Sequence, residues 1–332
     1  MGAPARGFHG LGGRGELTGG PPFAETVADR GAAAETDDFF RSRPFYDAEG
    51  VTHTLRLSGD GREVCLPILV NRIADTEYLD AITPYGYPGA AVRGARRDPP
   101  ASGEVDWSRT GLVSVFARER LADHPWLAGA TERSVVQVHD PSSDRTLRKR
   151  FADQIRRNAR LGYRVEVLGG PETTFEQRTS FHGVYTETMR GAEAAERYFF
   201  DPTYFGAILE YERTWLLLCR SPEGATAAGA IAAASDGLLH YYLGGTGDAH
   251  RRESPFKNVV DAMIELAEDL EVPLNLGGGV RPGDGLEDFK RGFANAELPF
   301  RTHEIVCDPR AYAELTQGRG KTDFFPAYRA HA

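Results

Sequence analysis

Lys290 stands where an apolar residue belongs. Leu286, Phe289, Lys290 and Phe293 follow the i, i+3, i+4, i+7 spacing of one buried helical stripe, so a cation falls in the row meant for the core. A lysine at a stripe edge ordinarily snorkels, keeping its stem dry and its ammonium in water. The stretch before it offers a second reading. Gly277, Gly278, Gly279, Gly283 and Gly285 permit close approach of a ligand to the backbone. A fixed cation beside such a loop can stabilise a developing oxyanion. Asp284 and Glu287 have capping-box spacing, which starts a short helix there and points its free N–H groups back at the glycines. Glu287 and Arg291 form an i,i+4 pair on what should be a solvated face.

A second chemical feature is a concentration of cations. Between Arg145 and Leu161, Leu147, Phe151 and Ile155 mark one apolar face of a helix. Arg145, Arg148, Lys149, Arg150, Arg156, Arg157 and Arg160 cover its other faces against the single acid Asp153, in a chain whose net charge is −9. A polyphosphate partner requires such an asymmetry, and a solvated helix is the plain alternative. The overall negative charge argues against indiscriminate nucleic-acid binding, DNA included. Thr83-Pro-Tyr-Gly-Tyr-Pro-Gly89 reads as a rigid loop displaying Tyr85 and Tyr87, either for packing or as a binding wall. Cys65, Cys219 and Cys307 lie in strand-like apolar runs and read as buried thiols rather than a disulfide, a metal site or a nucleophile. His182 and His240, in a predicted helix and strand, read as core or surface residues rather than general bases.

These residues need a scaffold, and 332 residues suffice for two domains. No apolar run approaches the ~20 residues that span a bilayer, and no signal pattern opens the chain; a cytoplasmic protein without a membrane partner is expected. Residues 1–37, rich in Gly, Ala and Pro, read as a disordered tail. Thr52–Ser58 and Arg62–Val70 read as a hairpin around Gly59-Asp60-Gly61, followed by strands at Glu77–Ile82, Gly111–Ala117 and Ser134–His139. After the basic helix come helices at Phe175–Met189 and from Asp201-Pro202. Trp215–Cys219, Thr226–Ala234 and Leu238–Leu243 then form an antiparallel meander. A helix from Ser254-Pro255, a strand at Val272–Leu276, the helix of Lys290 and a strand at Pro299–Cys307 complete the order, with a helical start at Tyr312 in the tail.

Helices, a three-strand meander, then helix, strand, helix, strand is an α/β layer on a mixed sheet. The order resembles the GNAT acyltransferase fold. Enzymes of that fold that use acyl-CoA carry (Gln/Arg)-x-x-Gly-x-(Gly/Ala) after the meander, so that bare amides hold the pyrophosphate. Here the place reads Ala249-His-Arg-Arg-Glu-Ser-Pro-Phe-Lys257. Proline offers no N–H, and phenylalanine or lysine blocks close approach. The Gly277–Gly285 loop matches neither a P-loop nor a dinucleotide fingerprint. A GNAT-like sheet without a CoA clamp calls for another activated acyl donor.

Seven motifs in order, Ile82-Thr-Pro-Tyr-Gly-Tyr-Pro-Gly89, Ile155-Arg-Arg-Asn-Ala-Arg-Leu-Gly162, Tyr185-Thr-Glu-Thr-Met-Arg190, Tyr241-Tyr-Leu-Gly-Gly-Thr246, Ser254-Pro-Phe-Lys257, Leu276-Gly-Gly-Gly279 and Phe289-Lys-Arg-Gly-Phe293, resemble the FemABX-like branch of the GNAT superfamily. The resemblance implies an α/β fold of two GNAT-like domains with mixed, largely antiparallel sheets facing a cleft, residues 38–144 with 309–332 forming the first and 145–308 the second. It implies transfer of an amino acid from aminoacyl-tRNA to an amine, with no bound cofactor. Lys290 would meet the tRNA 3′ end with Phe289 beside it, and Arg148, Lys149, Arg156, Arg157 and Arg160 would hold tRNA phosphates. Arg190, Tyr241 and Tyr242 would face the acceptor, with Tyr85, Tyr87 and Tyr185 as further substrate contacts. The Thr83–Gly89 loop departs from the Pro-Arg-Gly-Pro form of peptidoglycan-directed members, and no helical-hairpin arm is present. Both departures favour a small soluble acceptor, as in antibiotic biosynthesis, over a cell-wall precursor. On this reading Lys290 is the oxyanion cation and Tyr241 or Tyr242 orients the amine. An acyl-CoA-dependent acyltransferase with an eroded loop and a tRNA-binding module without chemistry are the alternatives.

Overall fold

The computed structural model describes residues 20–330 apart from 35–37, 95–97, 122–124, 282 and 321, and leaves out the side chains of 32 and 33. The first half of the chain supplies β1 (Phe23–Val27), α1 (Arg43–Glu49), β2 (His53–Gly59), β3 (Arg62–Arg72), β4 (Leu79–Ile82), β5 (Ala91–Gly94), β6 (Asp106–Arg109), β7 (Ser114–Arg118) and β8 (Thr131–His139). The second supplies α2 (Lys149–Leu161), β9 (Arg164–Gly169), α3 (Phe175–Gly191), α4 (Pro202–Leu209), β10 (Thr214–Arg220), β11 (Thr226–Ser235), β12 (Leu238–Thr246), α5 (Phe256–Asp269), β13 (Leu274–Gly277), α6 (Gly285–Arg291), β14 (Ala296–Val306) and α7 (Pro309–Thr316). The result is the expected α/β architecture on one large mixed sheet.

Sheet order is β6-β1-β2-β3-β4-β7-β14-β8-β13-β12-β11-β10-β9, with β5 on β3. A repeat lies within it. β2, β3 and β4 form an antiparallel series and β7 runs parallel to β4; β10, β11 and β12 form another, and β13 runs parallel to β12. Each parallel pairing lasts two residues, Ala81↔Val115 with Ile82↔Phe116, and Leu239↔Leu274 with His240↔Asn275. Beyond those pairs both sets of strands part. The halves also exchange strands: β8 leaves the first to lie on β13, β14 leaves the second to lie on β7, and the two pair antiparallel at the centre. The chain end then returns to the first half, where Tyr328 hydrogen-bonds Ser114 and Asp80 and Arg329 pairs with Asp80.

Local chemistry accounts for most boundaries. Asp60 and Gly61 take φ of 51° and 72°, as a two-residue hairpin turn requires. Asp201 caps α4 ahead of Pro202, and Ser42 caps α1 ahead of Pro44. Three expectations are corrected. The tail predicted to residue 37 contains β1, whose Ala24 is fully buried between β2 and β6; residues 1–19 and 35–37 of it lie outside the described ones. Five residues close behind two prolines are too short a run to show an alternation. The basic helix starts at Lys149 rather than Arg145, because Arg148 is extended and Arg145 is engaged with Asp261 on α5. α1, β5, β6 and β9, also unanticipated, are short or sit at edges where packing leaves little pattern.

One apolar cluster fills each half and a third joins them. In the third, Phe39, Phe40 and Phe45 pack with Phe181, Phe205 and Tyr242. Beside it Arg41, fully buried, donates to both carboxylate oxygens of Asp236 in the β11–β12 turn, and Arg120 donates to the same carboxylate. An internal guanidinium tolerates this position only because anions neutralise it. Asp38 also pairs with Arg41, so Asp236→Asn, which keeps the turn and leaves one of the two anions, should lower unfolding free energy in urea by roughly 1–3 kcal/mol. A loss below about 1 kcal/mol would class the contact with surface ion pairs.

Candidate active site

The site is built where β12 and β13 part, and a buried polar chain sets the geometry there. His240 Nε2 donates to the Ser235 carbonyl at 3.1 Å and Nδ1 accepts from Asn275 at 3.0 Å. Asn275 in turn accepts the Gly277 N–H at 2.8 Å. Burial holds the imidazole neutral, its pKa drawn down to about 4, and its ring packs 5.4 Å from that of Tyr87. The histidine is thus a satisfied core residue.

Gly277 takes φ +79°, and a Cβ there would lie 2.9 Å from Lys290 Nζ. The glycine is required on both counts. Lys290 is 8% exposed, donates to the Gly278 carbonyl at 2.7 Å, and sets its ammonium 5.5 Å from the centre of the Tyr241 ring. Desolvation lowers its pKa to about 8, against a small opposing pull from Asp284. Among the described residues it has no ion-pair partner. Nζ has three donors and uses one of them on protein, leaving two for a ligand.

The glycine loop differs from expectation. Asp284 accepts from the amides of Val280, Arg281, Leu286 and Glu287, and Glu287 accepts from Gly283, so those N–H groups are turned inward rather than offered to a ligand. The bonds to Asp284, led by that from Glu287, hold its carboxyl below the usual range. Glu287 is buried, not part of a solvated face, because it serves the loop as well as Arg291. Leu286 is 42% exposed and lines a groove. The loop's role is to admit Lys290.

That groove, about 410 Å³, is lined by Tyr241, Gly244, Gly245, Arg251, Phe256, Lys257, Leu286 and Phe289. A second hollow of about 450 Å³ shares Lys257 and Phe289 with it and adds Arg150, Gln154 and Asp288. Together they lead from the β12–β13 opening to the N-terminal part of α2. Arg148 is clamped by Asp288 through two 2.7 Å bonds, and Arg156 pairs with Asp153. Lys149, Arg157 and Arg160 are exposed on the same helix. In the segment before α5, the amides of Arg251, Glu253, Ser254, Lys257 and Asn258 all bond backbone carbonyls and Pro255 has none.

The other expected residues divide. Tyr241 lines the groove, and Phe289 is sandwiched among Phe151, Phe256 and Phe293 at its wall. Tyr87 reaches the back of the opening near Gly277. Tyr242 is the extra residue of a bulge, since Ile231 faces Leu243 while Ala232 faces Tyr241, and it joins the other apolar cluster. Its hydroxyl meets Tyr204 and Glu49, with Tyr85 packed 5.9 Å away. Tyr185 is buried and donates to the Tyr198 carbonyl. Arg190 is exposed at the end of α3, outside the residues that line the groove. The sequence reading missed Arg251 and Lys257, which stand in the groove, and Glu49 and Arg118, which flank Tyr85. Arg251 was legible only as the first position of a CoA-clamp pattern and Lys257 as a cation replacing one of its small residues. The others depend on long-range pairing.

No protein-family model matches this chain, and no curated protein matches it in sequence. Solved structures do. A crystal structure of FemX aligns over 88% of this chain and 100% of its own, with a TM-score of 0.56 and 11% identity. The structure of L-PGS from Bacillus licheniformis aligns over 75% of this chain and 82% of its own, with a TM-score of 0.50 and 11% identity. At that identity the likeness is one of fold alone, the α/β fold shared with FemX and L-PGS.

A buried cation is a stability cost with a definite sign. Because Lys290 has its pKa lowered from 10.5 to about 8 on folding, its penalty is full below pH 8 and fades as pH rises toward 10.5. Lys290→Met should therefore stabilise the fold at neutral pH by up to roughly 3 kcal/mol, with the gain shrinking by pH 10.5. Urea unfolding at the two pH values checks this. A destabilised neutral-pH variant would contradict it.

Proposed function

We propose that this protein is an aminoacyltransferase that moves an amino acid from aminoacyl-tRNA to the amine of a small soluble acceptor, as in antibiotic biosynthesis. One observation carries the reading: a groove walled by Tyr241, whose ring lies under the unpaired ammonium of Lys290, adjoins a hollow lined by Arg150 and Lys257 at the start of a helix that also exposes Lys149, Arg157 and Arg160. An aminoacylated 3′ end has that form, a reactive ester followed by phosphates. The engaged amides before α5 speak against a pyrophosphate clamp and so against CoA.

An aminoacyl ester needs no covalent enzyme intermediate. The acceptor nitrogen attacks the ester carbonyl, forming the C–N bond and placing a negative charge on oxygen. Collapse then breaks the bond to the ribose oxygen, and the proton lost by the amine balances the one gained by the leaving hydroxyl. Lys290, largely protonated at neutral pH, would stabilise the oxyanion with its two remaining donors, Tyr241 and Phe289 would wall the ester, and alignment in the groove would supply the rest. Arg150 and Lys257, which both lie over the Phe151 ring, are suited to the terminal phosphates.

Lys290→Ala should lower single-turnover transfer from aminoacyl-tRNA by on the order of 10²–10³. Full activity in that variant would remove the proposal. Pretreating the donor with ribonuclease should abolish transfer, whereas acyl-CoA chemistry would survive it. Reversing Arg157 and Arg160 to Glu should weaken tRNA binding and reduce its salt slope by about one unit for each phosphate that the helix no longer neutralises. An unchanged slope would mean that α2 does not touch tRNA.

A further inference from the structure

The first half of the sheet has its own parting of strands, between β4 and β7, and Arg118 occupies it. Its Nη1 donates to the Thr83 carbonyl at 2.7 Å and approaches that of Pro84 at 3.4 Å. Its Nε and Nη2 make no hydrogen bond among the described residues and are not sealed from solvent. No described carboxylate lies within ion-pairing distance. A half-buried guanidinium with one edge fixed by the protein presents its other edge in a set orientation, which suits planar recognition of an oxyanion.

The surroundings show where the open edge leads. Tyr85, the next residue after Pro84, gives its N–H to Glu49 at 2.8 Å and packs its ring against those of Tyr198 and Tyr242. Arg197 lies 4.9 Å over the Tyr198 ring and is exposed, adding a second cation at the rim. On the other side, the phenol of Tyr85 is near enough to that of Tyr241 to disfavour its ionisation. The same loop carries Tyr87, whose hydroxyl approaches Gly277 beside Lys290, so one loop borders both the Arg118 edge and the Lys290 ammonium.

We propose that Arg118, with Arg197 at the rim, forms an oxyanion subsite for the acceptor, so that the acceptor is an amine bearing its own carboxylate or phosphate. The inference rests on the aminoacyl-transfer reading and names the class of molecule that reading left open. Planar guanidinium recognition of a carboxylate or phosphate would anchor one end of the acceptor while its amine reaches the ester. Glu49, already accepting from Tyr85, Tyr204 and Tyr242, fixes the loop that carries this edge.

Three matched pairs test it: 3-aminopropan-1-ol against β-alanine, ethanolamine against phosphoethanolamine, and cadaverine against L-lysine. The members bearing a carboxylate or phosphate should exceed their partners in kcat/KM by on the order of 10- to 100-fold, through KM rather than kcat. Whichever of β-alanine and phosphoethanolamine leads identifies carboxylate or phosphate. Arg118→Gln should collapse the preference and Arg118→Lys restore part of it. Parity between amines with and without an acidic group in the parent protein, or a preference that survives Arg118→Gln, overturns the subsite. A uniform loss on all acceptors with a lowered melting temperature also overturns it, by making Arg118 only a strut. Hydroxylamine, which reports donor use without an anionic group, separates the two readings. Hydroxamate that requires intact tRNA with no charge preference sinks the subsite alone, and no tRNA-dependent hydroxamate sinks both.

Discussion

An ammonium kept almost out of water, against a backbone carbonyl at the point where two parallel strands separate, is the constraint on which this site depends. Lys290 can occupy that point only because Gly277 leaves room for Nζ, and Gly277 holds its left-handed φ because Asn275 takes its N–H. Asn275 is oriented by His240, and His240 by the Ser235 carbonyl. Each link is a buried polar group satisfied by the next, and an unsatisfied one would be expensive. The chain of bonds joins the meander to the strand after it and delivers a cation to the opening.

The pseudo-repeat clarifies why one opening is a groove and the other is not. Both halves part their strands after a two-residue parallel pairing. In the second half the strand after the pairing carries glycine, so the gap stays free beside Lys290; in the first, Arg118 fills it and bonds Thr83 across it. The repeated strand pattern thereby leaves a groove beside one parting and a guanidinium in the other. The central β8–β14 exchange and the Arg41–Asp236 pair hold the halves in register, which a shared cleft needs.

Much of this is legible in the amino-acid sequence alone. The meander from β10 to β12, the α5 stripe and the strands around the glycine loop follow from period and turn chemistry, since Asp236-Gly237 and Ser221-Pro-Glu-Gly224 allow only tight links. Lys290 is visible because its position in an apolar row is a local violation, and such violations gather at functional sites. What the sequence withholds is long-range. Tyr241 and Tyr242 are consecutive on one strand and so face opposite sides of the sheet, but which side carries the groove depends on packing far along the chain. Arg190 reads as a cleft cation by motif position, whereas Arg251 and Lys257 stand in the groove. The glycine loop reads as a ligand cradle, but its own Asp284 takes the amides. β1 and Glu49 lie in segments with too few residues to show periodicity, and their roles come from partners far along the chain.

The central claim is that Lys290 works as a cation, and the pH dependence of single-turnover transfer to hydroxylamine tests it most directly, because that acceptor is already neutral near pH 7. With the lysine pKa at about 8, the rate should fall as pH rises through that value, and Lys290→Arg, which keeps its proton, should show no such fall. A parent rate that stays level or climbs through the same range would contradict the account.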